Sequence, residues 1–393
     1  MSVVSDQDLL ASLPPVEHFT PDEETVLRQH VTNIDRPVFA LVNLPEVVKG
    51  ALFARYSRSN KSLRRLLLDE FMVDLPEVTL SRVEGHNRAE ALYDRVFNEY
   101  GDDSVAQLGS VHLACEGVSN VLTKVLERGR LTSYLEQSTR YVAYNDRVNG
   151  RWKYHVPAEL SGNLRERYCR VLDEAFTTYS LWIQRMEDYF RLRYPRDNGT
   201  PISAYNRTIR AKALDTLRGL LPAATRSNLG IYGSGQAYEA LLLRMRASQA
   251  SETRAFSDLI LTELRKVIPS FIVRVDRVDR GVAWSEYLAQ AEEATRTEAH
   301  NLLEGVVELE QPEVALTDFD PEGELKVVAA ALYSISSLPD TQLLSLAREM
   351  SAEERTAVLK AYVGDRKNRR HRPGRAFERT NYRFDVLTDY GAF

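Results

Sequence analysis

Apolar residues recur at helical spacing over most of the chain. The clearest stretch is 163–193, where apolar positions three to four residues apart predict one long amphipathic helix. Pro222 and Pro269 are expected to stop two of the shorter helices. The same spacing predicts these shorter helices after Pro45 and over 89–100, 203–220, 235–250, 252–267, 324–337 and 340–362.

Two neighbouring segments depart from that simple amphipathic pattern. Residues 104–127 are almost continuously apolar through HLACEGVSNVLTKVL, which predicts a buried central helix. Residues 133–147 (SYLEQSTRYVAYNDR) are rich in Tyr, Val and Thr with partial alternation, which predicts a strand. The chain as a whole is therefore predicted to be an α+β protein, mostly helical with a small sheet.

The pattern also divides the chain into segments. Residues 1–35 carry PPVEHF and predict an irregular N-terminal arm before a main domain over 36–300. The acidic, proline-containing stretch ELEQPEVALTDFDPEG lacks periodicity and predicts a linker, which we place at 301–324. A smaller helical C-terminal unit is expected over 325–393.

Composition narrows the class of protein. A chain of 393 residues with a net charge of −5 suits two or three domains and gives no general signal for nucleic-acid binding. No apolar run approaches the length of a membrane span, and the N-terminus lacks the order of a signal peptide. With only Cys115 and Cys169 and no zinc-ligand spacing, we expect a cytoplasmic protein with no metal site.

Chemistry-bearing residues concentrate in one segment, RGRLTSYLEQSTRY, at positions 128–141. If 136–141 is extended, alternate side chains share a face, so Glu136, Ser138 and Arg140 would project together. A carboxylate, a hydroxyl and a guanidinium suit a uracil edge, a sugar hydroxyl and a phosphate. On these residues alone, an exposed strand with an ordinary Glu–Arg ion pair is an equal alternative.

The order of residues in this segment resembles the signature RHRxxSxNExSxRY of flavin-dependent thymidylate synthases, in register and without a gap. The signature's His and Asn are Gly129 and Leu135 here, and the family's upstream Glu-His pair is Gln107-Leu108. The matching positions are Arg128, Arg130, Ser133, Glu136, Ser138, Arg140 and Tyr141.

Two later blocks and one earlier one extend the resemblance. The run LRGLLP is similar to the family's ARxVLP and supplies Arg218, and GSGQAYEALLLR is similar to NxRSLLHFLxLR and ends on Arg244. Taken singly, either arginine favours an ordinary solvated cation. The short match to Arg-Val-Ser supplies Ser57. The Asn, Arg and His of the later block are replaced by Gly233, Gly235 and Glu239.

The resemblance implies a homotetramer that methylates dUMP to dTMP, with FAD as cofactor and methylenetetrahydrofolate and NADPH as co-substrates. It implies that Arg140 and Arg218 hold the nucleotide, that Glu136 and Ser138 position it, and that Arg244 polarises the uracil as the catalytic residue. Flavin would be held by Arg128, Arg130 and Ser57. Reduced flavin supplies the hydride in this family, so no protein nucleophile is needed and both cysteines are expected in the core.

Two other functions stay open. One is a flavin-dependent modification of another pyrimidine nucleotide. The other is a non-catalytic paralogue that binds nucleotide or completes an oligomer. Both alternatives stay open because several residues that hold flavin in the family are changed here.

The tail resembles the segment before the signature a second time. Aligning 382–388 (YRFDVLT) on 111–117 places Glu378-Arg379 on Gln107-Leu108 and Phe393 on Leu122. This register predicts an incomplete second copy of the family's fold over 325–393. The alternative is a basic loop followed by a short terminal strand with no such ancestry.

Overall fold

The computed structural model describes residues 17–44, 46–71, 107, 109–388 and 390. The chain forms two compact units, Met1–Glu304 and Gly305–Phe393. The fold is mixed, with many helices and small antiparallel sheets, as an α+β protein requires. No helix of the described residues is long and apolar enough to cross a bilayer.

The predicted helices at 163–193, 203–220, 235–250 and 252–267 are present, and the long one spans Gly162–Arg193, whereas the helices at 63–66 and 283–303 were not predicted. A 3₁₀ turn, Arg218–Leu220, directly follows α6. The predicted helix at 89–100 lies outside the described residues. The helices are α1 (Pro21–His30), α2 (Glu46–Tyr56), α3 (Leu63–Leu66), α4 (Asn120–Leu126), α5 (Gly162–Arg193), α6 (Ile202–Leu217), α7 (Gly235–Ala247), α8 (Ser251–Val267) and α9 (Ala283–Leu303).

Four antiparallel strands form the sheet of this unit, in the order β1-β2-β4-β3. α1 occupies part of the predicted irregular arm, so that prediction is wrong for Pro21–His30. The strands are β1 (Val38–Ala40), β2 (Ser110–Ser119), β3 (Thr132–Glu136) and β4 (Arg226–Ser234).

The predicted central helix is wrong over Ser110–Ser119, which is β2. Both faces of this strand are covered: Leu113 and Cys115 pack into one core cluster and Ala114 into another. A strand buried on both faces has a continuous apolar run that periodicity alone cannot separate from a buried helix. The helical part begins at Asn120, where the Ser119 hydroxyl accepts a hydrogen bond of 3.0 Å from the Leu122 amide.

The predicted strand at 133–147 is also shorter than expected. β3 ends at Glu136, and the chain then turns, with the amides of Tyr141 and Val142 donating to the Ser138 carbonyl at 3.1 and 3.0 Å. The extended face proposed for 136–141 therefore does not form. The turn redirects the Arg140 backbone away from the strand direction.

A buried arginine ties α3 to the sheet. The fully buried guanidinium of Arg64 donates to the Asn33 side chain (3.0 Å) and the Arg36 carbonyl (2.7 Å), and it lies 3.6 Å from the centre of the Phe39 ring. Its charge is balanced by Glu116 on β2, with 3.5 Å between the closest nitrogen and oxygen. Burial raises the pKa of Glu116 and lowers the pKa of Arg64.

The second unit places a two-stranded ribbon beside three helices. The segment expected to be a linker contains β5, because its alternating Val314, Leu316 pattern pairs with β6. The predicted helix at 340–362 is two helices, and Ser351 begins the second with a capping box to Glu354. The elements are β5 (Val314–Phe319), α10 (Gly323–Tyr333), α11 (Asp340–Glu349), α12 (Ala352–Val363) and β6 (Tyr382–Val386).

The strands β5 and β6 pair antiparallel, as β1 and β2 do. In the sequence alignment Val386 corresponds to Cys115 and Phe384 to Leu113. Cys115 pairs with Val38 and Leu113 with Ala40. In the same spacing, Val386 pairs with Val314 and Phe384 with Leu316. Each leading strand is followed by a helix, α2 or α10.

Candidate functional site

Two arginines that are far apart in sequence meet at one carboxylate. The Nε atom of Arg140 lies 3.1 Å from Asp215 Oδ1, and the Nε atom of Arg218 lies 3.3 Å from the same oxygen. Arg140 and Arg218 are both largely exposed, at 52% and 40% of the side chain. Nε is the nitrogen of each guanidinium that lies closest to Asp215, and each planar fork also carries N–H donors on its terminal nitrogens, which suit an anion.

Local structure explains how these side chains converge. Asp215 lies on the last turn of α6, three residues before Arg218, which places both on one helix face. Arg140 lies on the turn after β3, and that turn is fixed by a 2.8 Å hydrogen bond from the Ser138 amide to the Ser57 carbonyl. The Ser57 hydroxyl donates to the Ala54 carbonyl at 3.0 Å.

Glu136 does not join this pair of arginines through an ion pair. Its carboxylate lies 3.3 Å from the Lys124 ammonium of α4, which also pairs with Glu127 at 3.2 Å. Burial, and then the charge of Glu136, raise the pKa of Glu127. The structure therefore places Glu136 in a small ionic group with Lys124 and Glu127.

Arg128 and Arg244 form a second pair of cations, close to the turn at 128–130. Burial and then the positive charge of Arg128 lower the pKa of Arg244, which follows the buried core positions of α7. Within the described residues neither arginine has an acidic ion-pair partner. Arg130 is exposed on the same turn. Two like charges held close together favour an anionic group between them.

The positions where the family signature has polar side chains are closely packed here. A Cβ atom at Gly129 would lie 2.9 Å from the Tyr134 hydroxyl and 3.1 Å from the Thr132 hydroxyl. Tyr134 and Thr132 also donate to the Gly129 carbonyl at 2.9 and 3.0 Å. At Gly233 a Cβ atom would lie 2.5 Å from the Thr132 methyl carbon. Thr132 thus lies beside both glycines, and Tyr134 lies beside Gly129.

A basic cleft of about 390 Å³ adjoins the end of the signature. Arg58 lies in it, with its guanidinium 5.7 Å from the centre of the Tyr141 ring. Arg55 is held by Glu70 through two hydrogen bonds of 2.7 Å, and Arg210 by Glu187 at 3.1 Å. Among the described residues Arg58 has no carboxylate partner, so it is the lining cation most available to a ligand.

Sequence reasoning missed Asp215, Tyr134 and Arg58. The spacing of Asp215 and Arg218 on one helix was a readable signal, because residues three apart are neighbours on a helix surface. Nothing in the sequence indicated that Tyr134 would fill the space at Gly129. Cys115 lies in the core as expected, and burial raises the pKa of its thiol, so it is no nucleophile at neutral pH.

Comparison with known proteins identifies the family of this chain. The sequence profile of the family described as "Thymidylate synthase complementing protein" matches residues 51–270, which include every candidate site residue. The chain belongs to this family, as a divergent member that keeps part of its signature.

Its relatives fall into two groups. It is 39% identical over 385 residues to a UPF0159 protein of Chlamydia pneumoniae, across 96% of this chain and 72% of that protein. A UPF0159 protein of Thermoplasma acidophilum is 31% identical over 373 residues, 88% of this chain and 70% of the relative. A flavin-dependent thymidylate synthase of Mycobacterium sp. (strain JLS) is 27% identical over 194 residues, 48% of this chain and 72% of that protein.

Proposed function

We propose that this protein binds dUMP and methylates it to dTMP as a flavin-dependent thymidylate synthase. The observation that carries the proposal is the convergence of Arg140 and Arg218 on Asp215. Two guanidiniums at one carboxylate suit a phosphate dianion, which accepts several charge-assisted hydrogen bonds at once. The names of the more distant relatives support the same substrate class.

In this proposal the chain's own residues bind and orient the nucleotide. Arg140 and Arg218 hold the phosphate, and Ser138, whose turn is fixed against Ser57, lies two residues from Arg140. Arg244 faces the uracil, where its cation stabilises negative charge that develops on the ring oxygen. Glu136, the last residue of β3, helps Ser138 to position the nucleotide. Arg244 is the residue to which we assign the catalytic role.

FAD fits this site only in part. Arg128 and Arg130 are exposed cations that would hold the phosphates, with Ser57 near the end of α2. The bound flavin would supply the hydride and mediate one-carbon transfer from methylenetetrahydrofolate, with NADPH as reductant. Gly129, Leu135 and Gly233 offer no polar side chains to the flavin, and Tyr134 occupies the adjoining space.

We also propose that 325–393 is the front of a second, incomplete unit of the same fold and that the protein forms a homo-oligomer, a tetramer by family resemblance. The repeated register of β1–β2 and β5–β6 supports the first part. The ribbon exposes the apolar pairs Val314–Val386 and Leu316–Phe384 on one face. Apolar faces of this kind mark surfaces that associate with other protein.

A second candidate function is a non-catalytic paralogue that binds the nucleotide alone. The packing of Tyr134 and Thr132 against Gly129 and Gly233 favours it, because those positions carry the family's flavin-side residues. This alternative and the enzyme share the phosphate site. They differ in flavin content and turnover.

The first experiment measures nucleotide binding by calorimetry. We expect dUMP to bind more tightly than deoxyuridine, because both arginines face the phosphate. Arg140→Ala and Arg218→Ala should each weaken dUMP binding by about ten- to a hundredfold, since a charge-assisted contact contributes about 1.5–3 kcal/mol. Deoxyuridine affinity should change little.

Arg296→Ala is the matched control, because Arg296 is an exposed arginine of α9 whose ion pairs among the described residues are with glutamates of its own helix. It should leave both affinities unchanged. Equal affinity for nucleotide and nucleoside in the parent protein would contradict the phosphate site. Formation of dTMP with FAD, methylenetetrahydrofolate and NADPH then separates the enzyme from the paralogue.

A further inference from the structure

A second cavity, of about 490 Å³, lies beside the first turn of α8. Its walls are largely apolar and include Val121, Pro157, Leu172, Pro222 and Ala224. None of the residues assigned to the nucleotide or flavin lines it. A cavity of this size with apolar walls and a few convergent polar groups has the usual form of a small-molecule site.

The polar groups of this cavity are His155 and Glu252, both of which are more than nine-tenths buried. The Nδ1 atom of His155 is buried without a hydrogen-bond partner among the described residues. Its distance to Glu252 Oε1 is 3.6 Å, too long for a hydrogen bond. Glu252 is fixed by Ser119, whose amide donates to Oε1 at 3.0 Å and whose hydroxyl donates to Oε2 at 2.6 Å.

Charge at this position favours a hydrogen-bond donor over an anion. Burial lowers the pKa of His155, so its imidazole is neutral near pH 7 and one ring nitrogen is an acceptor. Arg226 is the nearby cation that acts on Glu252, and burial lowers its pKa to about 10. Glu159 lines the cavity as a second carboxylate. Arg254 is the cation that acts on Glu159, so two cations balance the two carboxylates and the site has no net positive charge to attract an anion.

The geometry indicates what kind of group would complete the pair. With the imidazole proton on Nε2, His155 Nδ1 and Glu252 Oε1 are two acceptors 3.6 Å apart, and one nitrogen that carries at least two hydrogens spans them at normal hydrogen-bond lengths. A buried acceptor left unpaired costs about 1–3 kcal/mol, which such a group would recover. We propose that this cavity is a separate binding site for an apolar small molecule with a primary ammonium head, held between His155 Nδ1 and Glu252.

The test uses the full chain and two probes of similar shape and opposite charge. Calorimetry should show saturable binding of 2-phenylethylamine, whereas 3-phenylpropionate should bind at least about tenfold more weakly. Glu252→Gln keeps the side-chain shape and an acceptor for Ser119 but removes the charge. It should weaken amine binding by about tenfold or more.

Val121→Trp is a second variant that avoids the buried pair, because Val121 is 52% exposed at the cavity wall. The larger side chain should block the cavity and reduce amine binding while the melting temperature stays unchanged. Glu166→Gln, an exposed glutamate of α5, is the matched control for loss of charge and should bind normally. The proposal is overturned if the amine does not bind at millimolar concentration, if both probes bind equally, or if Glu252→Gln binds the amine normally.

Discussion

At the scale of single residues, Asp215 is the group that organises the phosphate site. It is the one carboxylate that lies within ion-pair distance of both Arg140 and Arg218 among the described residues. A carboxylate near a phosphate position repels the ligand, yet it also holds two long side chains in one geometry. Each guanidinium carries N–H donors on its terminal nitrogens besides the Nε–H that lies closest to Asp215, so we expect the orienting effect to dominate.

Asp215→Ala should therefore weaken dUMP binding by about three- to tenfold. In this variant the ligand itself must order the arginines, and ordering one long side chain costs about 0.5–1.5 kcal/mol. Calorimetry with dUMP and deoxyuridine checks this, and only dUMP affinity should change. Tighter binding of dUMP by the variant would mean that Asp215 competes with the phosphate instead of positioning its partners.

Arg64 and Glu116 form a buried pair whose separate loss should destabilise the protein. Arg64→Leu leaves the Glu116 carboxylate buried without its cation and should reduce the free energy of unfolding by about 3–5 kcal/mol. Urea denaturation measures the change. Arg64→Leu combined with Glu116→Leu should lose less than Arg64→Leu alone.

The exposed pair of Arg296 and Glu292 provides the comparison. Arg296→Leu should change the free energy of unfolding by at most about 1 kcal/mol, since solvent screens exposed ion pairs. If Arg64→Leu costs no more than this control, the buried pair does not stabilise the unit.

At the scale of elements, the turn between α4 and β3 carries the arginines that we propose to hold flavin. Arg128 and Arg130 remain exposed on it, while Tyr134 and Thr132 hydrogen-bond to the Gly129 carbonyl. A Cβ atom at Gly129 would crowd Tyr134. The turn therefore carries two exposed arginines, and Tyr134 lies where the side chain of the signature's His would begin.

We expect the purified protein to retain little FAD, because positions 129, 135 and 233 lack polar side chains. Gly129→His alone should give little gain in FAD affinity, whereas Gly129→His with Tyr134→Ala should bind FAD more tightly, since the second change makes room for the imidazole. Fluorescence titration with FAD compares the two variants. A tightly bound yellow cofactor in the unmodified protein would refute the expectation of weak retention.

At the scale of the whole molecule, the proposed site and the second unit belong to different parts of the chain. The residues from Ser57 to Arg244 that carry the proposed site all lie in the first unit, which ends at Glu304. We expect a chain ending at Glu304 to fold and to bind dUMP within about threefold of the full chain, a difference below about 1 kcal/mol.

Circular dichroism and calorimetry on this shorter chain provide the measurement. A folded protein with much weaker dUMP binding would indicate that the second unit contributes to the site. Its behaviour in sedimentation also tests the oligomer, because loss of self-association on removing 305–393 would assign that role to the second unit.

The sequence by itself determined the family and most helices. The ordered run from Arg128 to Tyr141 survives the loss of its His and Asn, since a spaced set of identities is independent of how the chain folds. The helices α5 to α8 were readable because an amphipathic period of 3.6 residues is a local property that burial of one face preserves.

Only the tertiary structure decided what depends on distant partners. Residues 110–119 are a strand because β1 and β4 pair with both of its edges and cover the backbone that a helix would satisfy internally. The meeting of Arg140 with Arg218 at Asp215, the filling of the space at Gly129 by Tyr134, and the burial of His155 beside Glu252 all join segments that are adjacent only in space. Local periodicity carries no information about such contacts, because they are set by packing between elements.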